Sequence, residues 1–326
     1  MLDYIYMNVD VHRSQKAPFT ALQGVFTYKD ISMSYRRKNP YEDKKASNPL
    51  NLSVLFLHNG GTSNVIWTNQ MDALGKDFDV IAVDLPGFGD SPMAENEITL
   101  KNYTEVLQQF IESLRLNHIL LVGNCMGSNI AYKLASTIKD KISGIVFINP
   151  LTQKTFKKGK LGWLYLLDRR FPGAFDATKN LSKKLRLPTL VSKGVTAFQV
   201  GELKNSKQVL SNRELLACNM RKDQLPALLT VLRDMDSYGS FDSIDDDLAD
   251  LPTIVILGKK NKVLSFAKMS ELSKRISPYK SYVLDHCGHL PMLEDPETVT
   301  GIIRDFISYL NTANLKTKGP INNKAV

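Results

Sequence analysis

Ile119-Leu120-Leu121-Val122-Gly123-Asn124-Cys125-Met126-Gly127-Ser128 is the stretch that decides the fold. His118 to Val122 reads as an apolar run, the mark of a strand buried on both faces. From Met126 to Ile138 the pattern is helical. Gly123 and Gly127 bracket the junction, with Cys125 at its apex. A strand that turns directly into a helix has no room for a Cβ on either side of that apex, so small residues are needed there. The apex side chain is pushed out above the sheet. The helix that starts there offers unpaired amides and the positive end of a dipole. A thiol in that place is a candidate nucleophile.

Outward from this turn, strand-like and helical runs alternate. Gly24 to Arg36 reads as two short strands, and Leu52 to His58 as a buried one. Trp67 to Leu74 is helical. Val80 to Asp84 is a strand that ends in the turn DLPGFGDS. Thr99 to Leu116 has helical spacing, with Tyr103, Val106, Leu107, Phe110, Ile111 and Leu114 on one side. Ile145 to Asn149 is again a strand. The alternation then stops for about 100 residues, which read as helix and loop. It resumes at Pro252 (PTIVILG), continues with Ser281 to Leu284 and closes with a helix from Pro296 to Leu310. Such alternation predicts a mostly parallel sheet with helices on both faces. The expected organisation is a core of residues 1–150 and 252–311, an inserted helical lid at 151–251, and a flexible tail at 312–326 within a polar stretch that starts at Asn311.

Four motifs then stand in order: LHNGG at Leu57 to Gly61, DLPGFGDS at Asp84 to Ser91, GNCMGS at Gly123 to Ser128, and GHLPMLEDPE at Gly288 to Glu297. With these, the chain from about Val25 to Tyr309, outside the lid, resembles the α/β-hydrolase superfamily, with cysteine where serine is usual. The resemblance implies an α/β-hydrolase fold with Cys125 as nucleophile and His289 as general base. It also implies an oxyanion hole from the amides of Met126 and of Gly60, with Gly61 close behind. Each such donor is worth roughly 3 kcal/mol. The family's acid position, after the strand that follows the lid, is held here by Asn261. An asparagine can bond the imidazole through its carbonyl but brings no negative charge. Asp285, four residues before His289, and Asn149, at the end of a strand, are alternatives for orienting the ring.

The two departures fit together. A serine hydroxyl needs a strong base, whereas a thiol starts from a pKa of about 8.5, which a helix N-terminus and a nearby His⁺ lower further. Cysteine therefore tolerates a Cys-His-Asn arrangement. Cys218 and Cys287 read as buried apolar residues. The run Asp285 to His289 resembles a metal site in composition, yet neighbours at a strand end point to opposite sides and one ion would not gather them easily. No metal is expected. His58 and Asn59 shape the loop before Gly60, Asp84 fixes its turn, and His12 and His118 carry no signal.

Composition bounds the function. With 326 residues, 43% hydrophobic and 23% charged, the chain is neither disordered nor fibrous. It has no run of eighteen apolar residues and no basic-then-apolar leader, so a cytoplasmic protein is expected. Its three cysteines form no disulfide framework. The net charge of +9 is uneven: Leu151 to Lys222 holds sixteen Lys and Arg against four acids, and Asp223 to Asp250 holds eight acids against Arg233 alone. That segment suits an anionic small molecule or an acidic protein rather than nucleic acid. The segment LGWLYLLDRRF (Leu161 to Phe171) is expected to pack over an acyl pocket, with a membrane-facing lid edge as the alternative. No GxGxxG or P-loop is present, and the fold requires no cofactor. The resemblance thus implies hydrolysis or acyl transfer on an ester or thioester, with coenzyme A or an acidic acyl-carrier protein as candidate partners. The alternatives are a carboxylesterase-like hydrolase of low activity or a non-catalytic ligand-binding member of the fold.

Overall fold

The computed structural model describes residues 9–12, 21–40, 51–94, 98–182, 188–202, 206–244, 248 and 250–317. Among the described residues nine strands form one sheet: β1 (Val9–His12), β2 (Leu22–Tyr28), β3 (Ile31–Lys38), β4 (Ser53–Leu57), β5 (Asp79–Val83), β6 (Ile119–Asn124), β7 (Ile142–Ile148), β8 (Thr253–Gly258) and β9 (Lys280–Leu284). Their order is β1-β2-β3-β5-β4-β6-β7-β8-β9. β1, β2 and β3 pair antiparallel, and β3 meets β5 antiparallel. From β5 to β9 every pairing is parallel. The short strand β1 at the edge gave no signal in the sequence.

Alternate residues of the central strands feed two cores, as a two-residue repeat requires. Leu55, Leu57, Ile119 and Leu121 face one layer, while Val54, Phe56, Leu120 and Val122 face the other. The first layer is covered by α2 (Leu100–Ser113), α3 (Met126–Thr137) and α11 (Phe266–Ile276), the second by α1 (Thr68–Leu74) and α13 (Pro296–Thr317). In α2, Tyr103, Val106, Leu107, Phe110 and Ile111 are buried, the stripe that the helical spacing predicts. Thr99 and Asn102 close its start as a reciprocal capping box.

Between β7 and β8 lie α4 (Gln153–Lys157), α5 (Gly162–Arg170), α6 (Pro172–Ser182), α7 (Thr189–Gln199), α8 (Lys207–Ser211), α9 (Arg213–Asn219) and α10 (Gln224–Arg233). One buried carboxylate ties three of them. Asp168 of α5 is 1% exposed and pairs with Arg169 at 2.9 Å and with Arg233 of α10 at 2.8 Å. Arg233 in turn holds Asp176 of α6 at 3.1 Å. Removing one partner of such a pair costs about 3–5 kcal/mol.

One boundary departs from expectation. The last helix does not end at Leu310 but runs on to Thr317, so the tail expected at 312–326 begins as helix. Nothing from Asn311 to Lys316 stops a helix, and the first breakers are Gly319 and Pro320. Residues 318–326 lie outside the described residues. The segment Leu161 to Phe171 packs over the pocket with one side only. Trp163 and Leu166 are 58% and 62% exposed. Among the described residues no helix is long and apolar enough to cross a membrane.

Candidate active site

β6 carries Cys125 to the carboxyl edge of the sheet, and α3 begins at the next residue. Cys125 sits at φ 52° and ψ −110°, a conformation costing a side-chain-bearing residue on the order of 1–3 kcal/mol. Its N–H bonds the Ile148 carbonyl at 2.9 Å. The Ser128 hydroxyl lies 2.6 Å from the Gly123 carbonyl and 2.9 Å from that of Ile148, bracing the turn. A Cβ on Gly123 would meet the Gly127 carbonyl oxygen at 2.3 Å, and one on Gly127 would meet that of Leu57 at 2.2 Å. Both glycines are therefore required by close backbone approach, as the sequence predicts.

Above this turn lies a cavity of about 610 Å³. Cys125, His289, Met126, Gly60 and Gly61 all line it, so five of the six sequence-predicted site residues come together. The rest of the lining is almost wholly apolar, with Leu161 and Leu164 from α5, Phe198 from α7 and Leu228 from α10 among it. No side chain caps α3, which leaves the Met126 amide free of a capping partner. Among the described residues no backbone acceptor takes the Gly60 or Gly61 amide. These donors can meet an oxygen that develops charge.

His289 is fixed by its backbone. Its N–H donates to the Gln199 carbonyl of α7 at 2.7 Å. Its carbonyl accepts from Asn124 Nδ2 at 3.1 Å and from Asn149 Nδ2 at 3.3 Å. Asn124 also donates to Asn59 Oδ1 at 3.1 Å, and Asn59 Nδ2 reaches Gln199 Oε1 at 3.3 Å. Three buried asparagines thus bind the Gly60 loop, the Cys125 turn and the His289 loop into one network that includes the end of α7. Sequence reasoning missed this role for Asn124. A signal was there: Asn59, Asn124 and Asn149 each stand at or just past the carboxyl end of a buried strand, and the three strands are neighbours.

Asn261, the sixth predicted residue, stands behind the ring and does not line the cavity. Its Nδ2 is 3.1 Å from His289 Nδ1 and its Oδ1 3.3 Å away. The backbone amides of Val263 and Leu264 donate to that Oδ1 at 2.9 and 3.0 Å. Amide donors must meet oxygen rather than NH2, which settles the orientation of the side chain. The expectation that the carbonyl can bond the imidazole stands beside a second contact: Oδ1, shared with the two amides, reaches Nδ1 at 3.3 Å, and Nδ2 reaches it at 3.1 Å. Nδ1 of neutral His289 either accepts from Nδ2 or donates to Oδ1, according to the ring tautomer. The alternatives fail on position. Asp285 is 75% exposed and pairs with Lys259. Asn149 holds the backbone of Gly288 and His289 and accepts from the Gly258 amide, away from the ring nitrogens.

Burial sets the charges. It drives His289 down to about 3. It pushes the Cys125 thiol up to about 12, opposed by the Met126 amide. The expected lowering of the thiol pKa by the helix end is thus reversed, because Cys125 is only 6% exposed. At rest the site holds a neutral thiol and a neutral imidazole. His58, driven by burial down to about 4, accepts from the Leu85 amide at 2.9 Å through Nε2, and its Nδ1 lies 2.8 Å from the Asn59 carbonyl. It shapes the loop, as predicted. Asp84 accepts from the amides of Asn64 and Asp90, and burial raises it to about 6.

Cys218 is buried beside the Ser63 hydroxyl at 3.0 Å. Cys287 is fully buried, and burial raises its pKa. His286, Cys287 and Asp295 place one ligand atom each within 4.8 Å of one another. The sequence expectation that neighbours here cannot converge is corrected, since Asp295, eight residues beyond Cys287, closes the group. His286 and Asp295 already satisfy each other at 3.1 Å, and none of the three lines the cavity.

Comparison with known proteins agrees with this fold. The family model described as alpha/beta hydrolase fold matches residues 53–296. The chain is 23% identical over 281 residues to the monoacylglycerol lipase ABHD6 of Rattus norvegicus, covering 83% of this chain and 78% of that protein. It is 25% identical over 283 residues to putative esterase/lipase 2 of Mycoplasma pneumoniae, covering 84% and 97%. In fold it matches a thermophilic esterase from Thermogutta terrifontis with a TM-score of 0.68 at 20% identity, over 91% of this chain and 99% of that one.

Proposed function

This chain belongs to the α/β-hydrolase fold family, and from that premise we propose that it is an esterase- or lipase-type hydrolase of apolar acyl esters and thioesters acting through Cys125. One observation carries the reading: Cys125, His289 and the oxyanion-hole candidates Gly60, Gly61 and Met126 line one apolar cavity of about 610 Å³. The similarity to lipases and esterases supports it.

In the proposed reaction the sulfur attacks the acyl carbonyl carbon while its proton passes to His289 Nε2. The oxygen gains charge against the loop amides and the Met126 amide. Collapse breaks the bond to the leaving group, which takes the proton from His289. The acyl group is then held on Cys125 as a thioester, and water completes hydrolysis. An amine or thiol acceptor in place of water would make the reaction a transfer, and the basic excess of residues 151–222 suits coenzyme A or an acidic acyl carrier in that role. Proton transfer to Nε2 needs the Nδ1–H tautomer, in which Nδ1 donates to Asn261 Oδ1; the amide brings no negative charge to the imidazolium, so turnover is slow.

A second reading, apolar ligand binding without turnover, draws on that same Asn261 contact. p-Nitrophenyl esters from acetate to dodecanoate separate the two. The proposed hydrolase releases p-nitrophenol faster with medium chains than with acetate, and Cys125→Ala loses the activity. Saturable binding of the long-chain esters with no release, or equal release by Cys125→Ala, would rule the hydrolase reading out.

A further inference from the structure

We propose that the outer face of α5, with the exposed end of α7, docks on an anionic lipid bilayer and presents the mouth of the Cys125 cavity to it. The docking itself is argued from the surface and is independent of the reaction; only its purpose rests on the hydrolase reading.

The two sides of α5 explain why. Leu161 and Leu164 turn inward and wall the cavity, and Asp168 anchors the helix through Arg233. On the other side Trp163, Leu166, Leu167 and Arg170 follow one another at positions i, i+3, i+4 and i+7, a single stripe. The three apolar members are 58%, 62% and 38% exposed, and Phe171, next in the chain, is 53% exposed with the Arg170 guanidinium over its ring. A helix apolar on both sides in water is unfavourable unless something covers the outer side. α7 repeats the pattern. Val195 and Phe198 face the cavity, Leu190 is 81% exposed, and Val191 is both 45% exposed and part of the cavity lining. The apolar surface therefore continues from solvent into the pocket.

Charge selects the occupant. Lys158, Lys160, Arg170 and Lys193 are exposed, and among the described residues no ion pair engages them. Asp168 is fully buried and already neutralised by two arginines. A surface of Trp, Leu and Phe bordered by uncompensated Lys and Arg matches an interfacial element lying on anionic headgroups. Each basic residue near such a surface adds favourable attraction. Chains of a length that fills the cavity would pass from bilayer to pocket without crossing water. A second copy of this chain would bring the same positive charge against itself, which disfavours a dimer through this face.

The chain supplies its own probe. Its two tryptophans are Trp67, fully buried in the core, and Trp163, on the proposed face. Titration with vesicles of phosphatidylcholine alone and of phosphatidylcholine with phosphatidylserine is read by tryptophan emission and by co-flotation. The proposal expects a blue shift and flotation with phosphatidylserine vesicles only, both weakened as salt is raised. Lys158→Glu with Lys160→Glu should weaken partitioning about tenfold or more, since each charge lost or reversed removes a favourable term. Trp163→Ser with Leu166→Ser should abolish flotation. Neither pair lines the cavity, so hydrolysis of p-nitrophenyl butyrate in solution serves as the control for folding. No vesicle binding by an ester-active protein would overturn the docking and leave the hydrolase reading standing. Vesicle binding with no ester activity would do the reverse. Unchanged flotation by both pairs, lipid-free dimerisation lost in Trp163→Ser, or capture of an acidic carrier protein in place of vesicles would each overturn the proposal.

Discussion

Asn261→Asp is expected to raise the rate of Cys125 acylation by about 10- to 100-fold. The wild-type side chain is held from two sides. Val263 and Leu264 donate their amides to its oxygen, which leaves Nδ2 as the group 3.1 Å from His289 Nδ1. The Nδ1–H tautomer, which frees Nε2 for the thiol proton, is held only by the shared Oδ1 at 3.3 Å, whereas Nδ2 holds the Nε2–H tautomer at 3.1 Å. An imidazolium is disfavoured further, because the asparagine brings no negative charge to it. Aspartate keeps the oxygen that the two amides need and puts a second oxygen where Nδ2 stands. That oxygen accepts from Nδ1–H, turns Nε2 into a base and supports the imidazolium as it forms. The substitution adds no bulk, and the Val263 and Leu264 amides that already point at the side chain stabilise the new charge. Single-turnover release of p-nitrophenol from p-nitrophenyl octanoate measures it. An unchanged or lower rate in a variant of unchanged melting temperature would mean that Asn261 does not govern the ring.

Cys125→Ser should lower ester hydrolysis by about 10³-fold or more, and Cys125→Ser with Asn261→Asp should regain about 10- to 100-fold of that loss. A hydroxyl is a far weaker acid than a thiol and depends on the base for almost all of its reactivity. In wild-type surroundings the base is disfavoured twice. Burial drives His289 down to about 3, and Asn261 brings no negative charge to the imidazolium. Cysteine gains from a more nucleophilic atom what the histidine lacks. The double variant restores a Ser-His-Asp set on an unchanged backbone, so its gain over the single serine variant measures how far residues 125 and 261 act as one unit. A serine variant as active as wild type, or a double variant no better than the single one, would contradict the coupling. Initial rates with p-nitrophenyl octanoate decide between these outcomes.

The residues that were legible in the sequence owe it to local constraints. Gly123 and Gly127 could be read because backbone atoms 2.3 and 2.2 Å from a would-be Cβ tolerate nothing larger. The two-sided burial of β4 and β6 showed as unbroken apolar runs. Asn261 was found by its place in the chain, but which of its atoms meets His289 was not. That depends on where the amides of Val263 and Leu264 point, a property of the folded loop. The thiol pKa was misjudged for a related reason. A helix N-terminus is visible in sequence, whereas the burial that overrides it is a property of the folded chain. The asparagine network was legible in part, since a polar residue recurs at the ends of three buried strands, but its convergence on the His289 carbonyl needs the sheet order. In α5 apolar residues on both sides blur the periodicity, so the sequence does not say which side meets solvent.

The central claim is that Cys125 forms the covalent bond to the acyl group. Intact-protein mass spectrometry after brief incubation with p-nitrophenyl octanoate and octanoyl-coenzyme A tests it, with Cys125→Ala, Cys218→Ala and Cys287→Ala alongside. The account predicts a gain of one octanoyl mass on wild type and on the Cys218 and Cys287 variants, and none on Cys125→Ala. Octanoyl addition that survives in Cys125→Ala, or none on a wild type that releases p-nitrophenol, would contradict it.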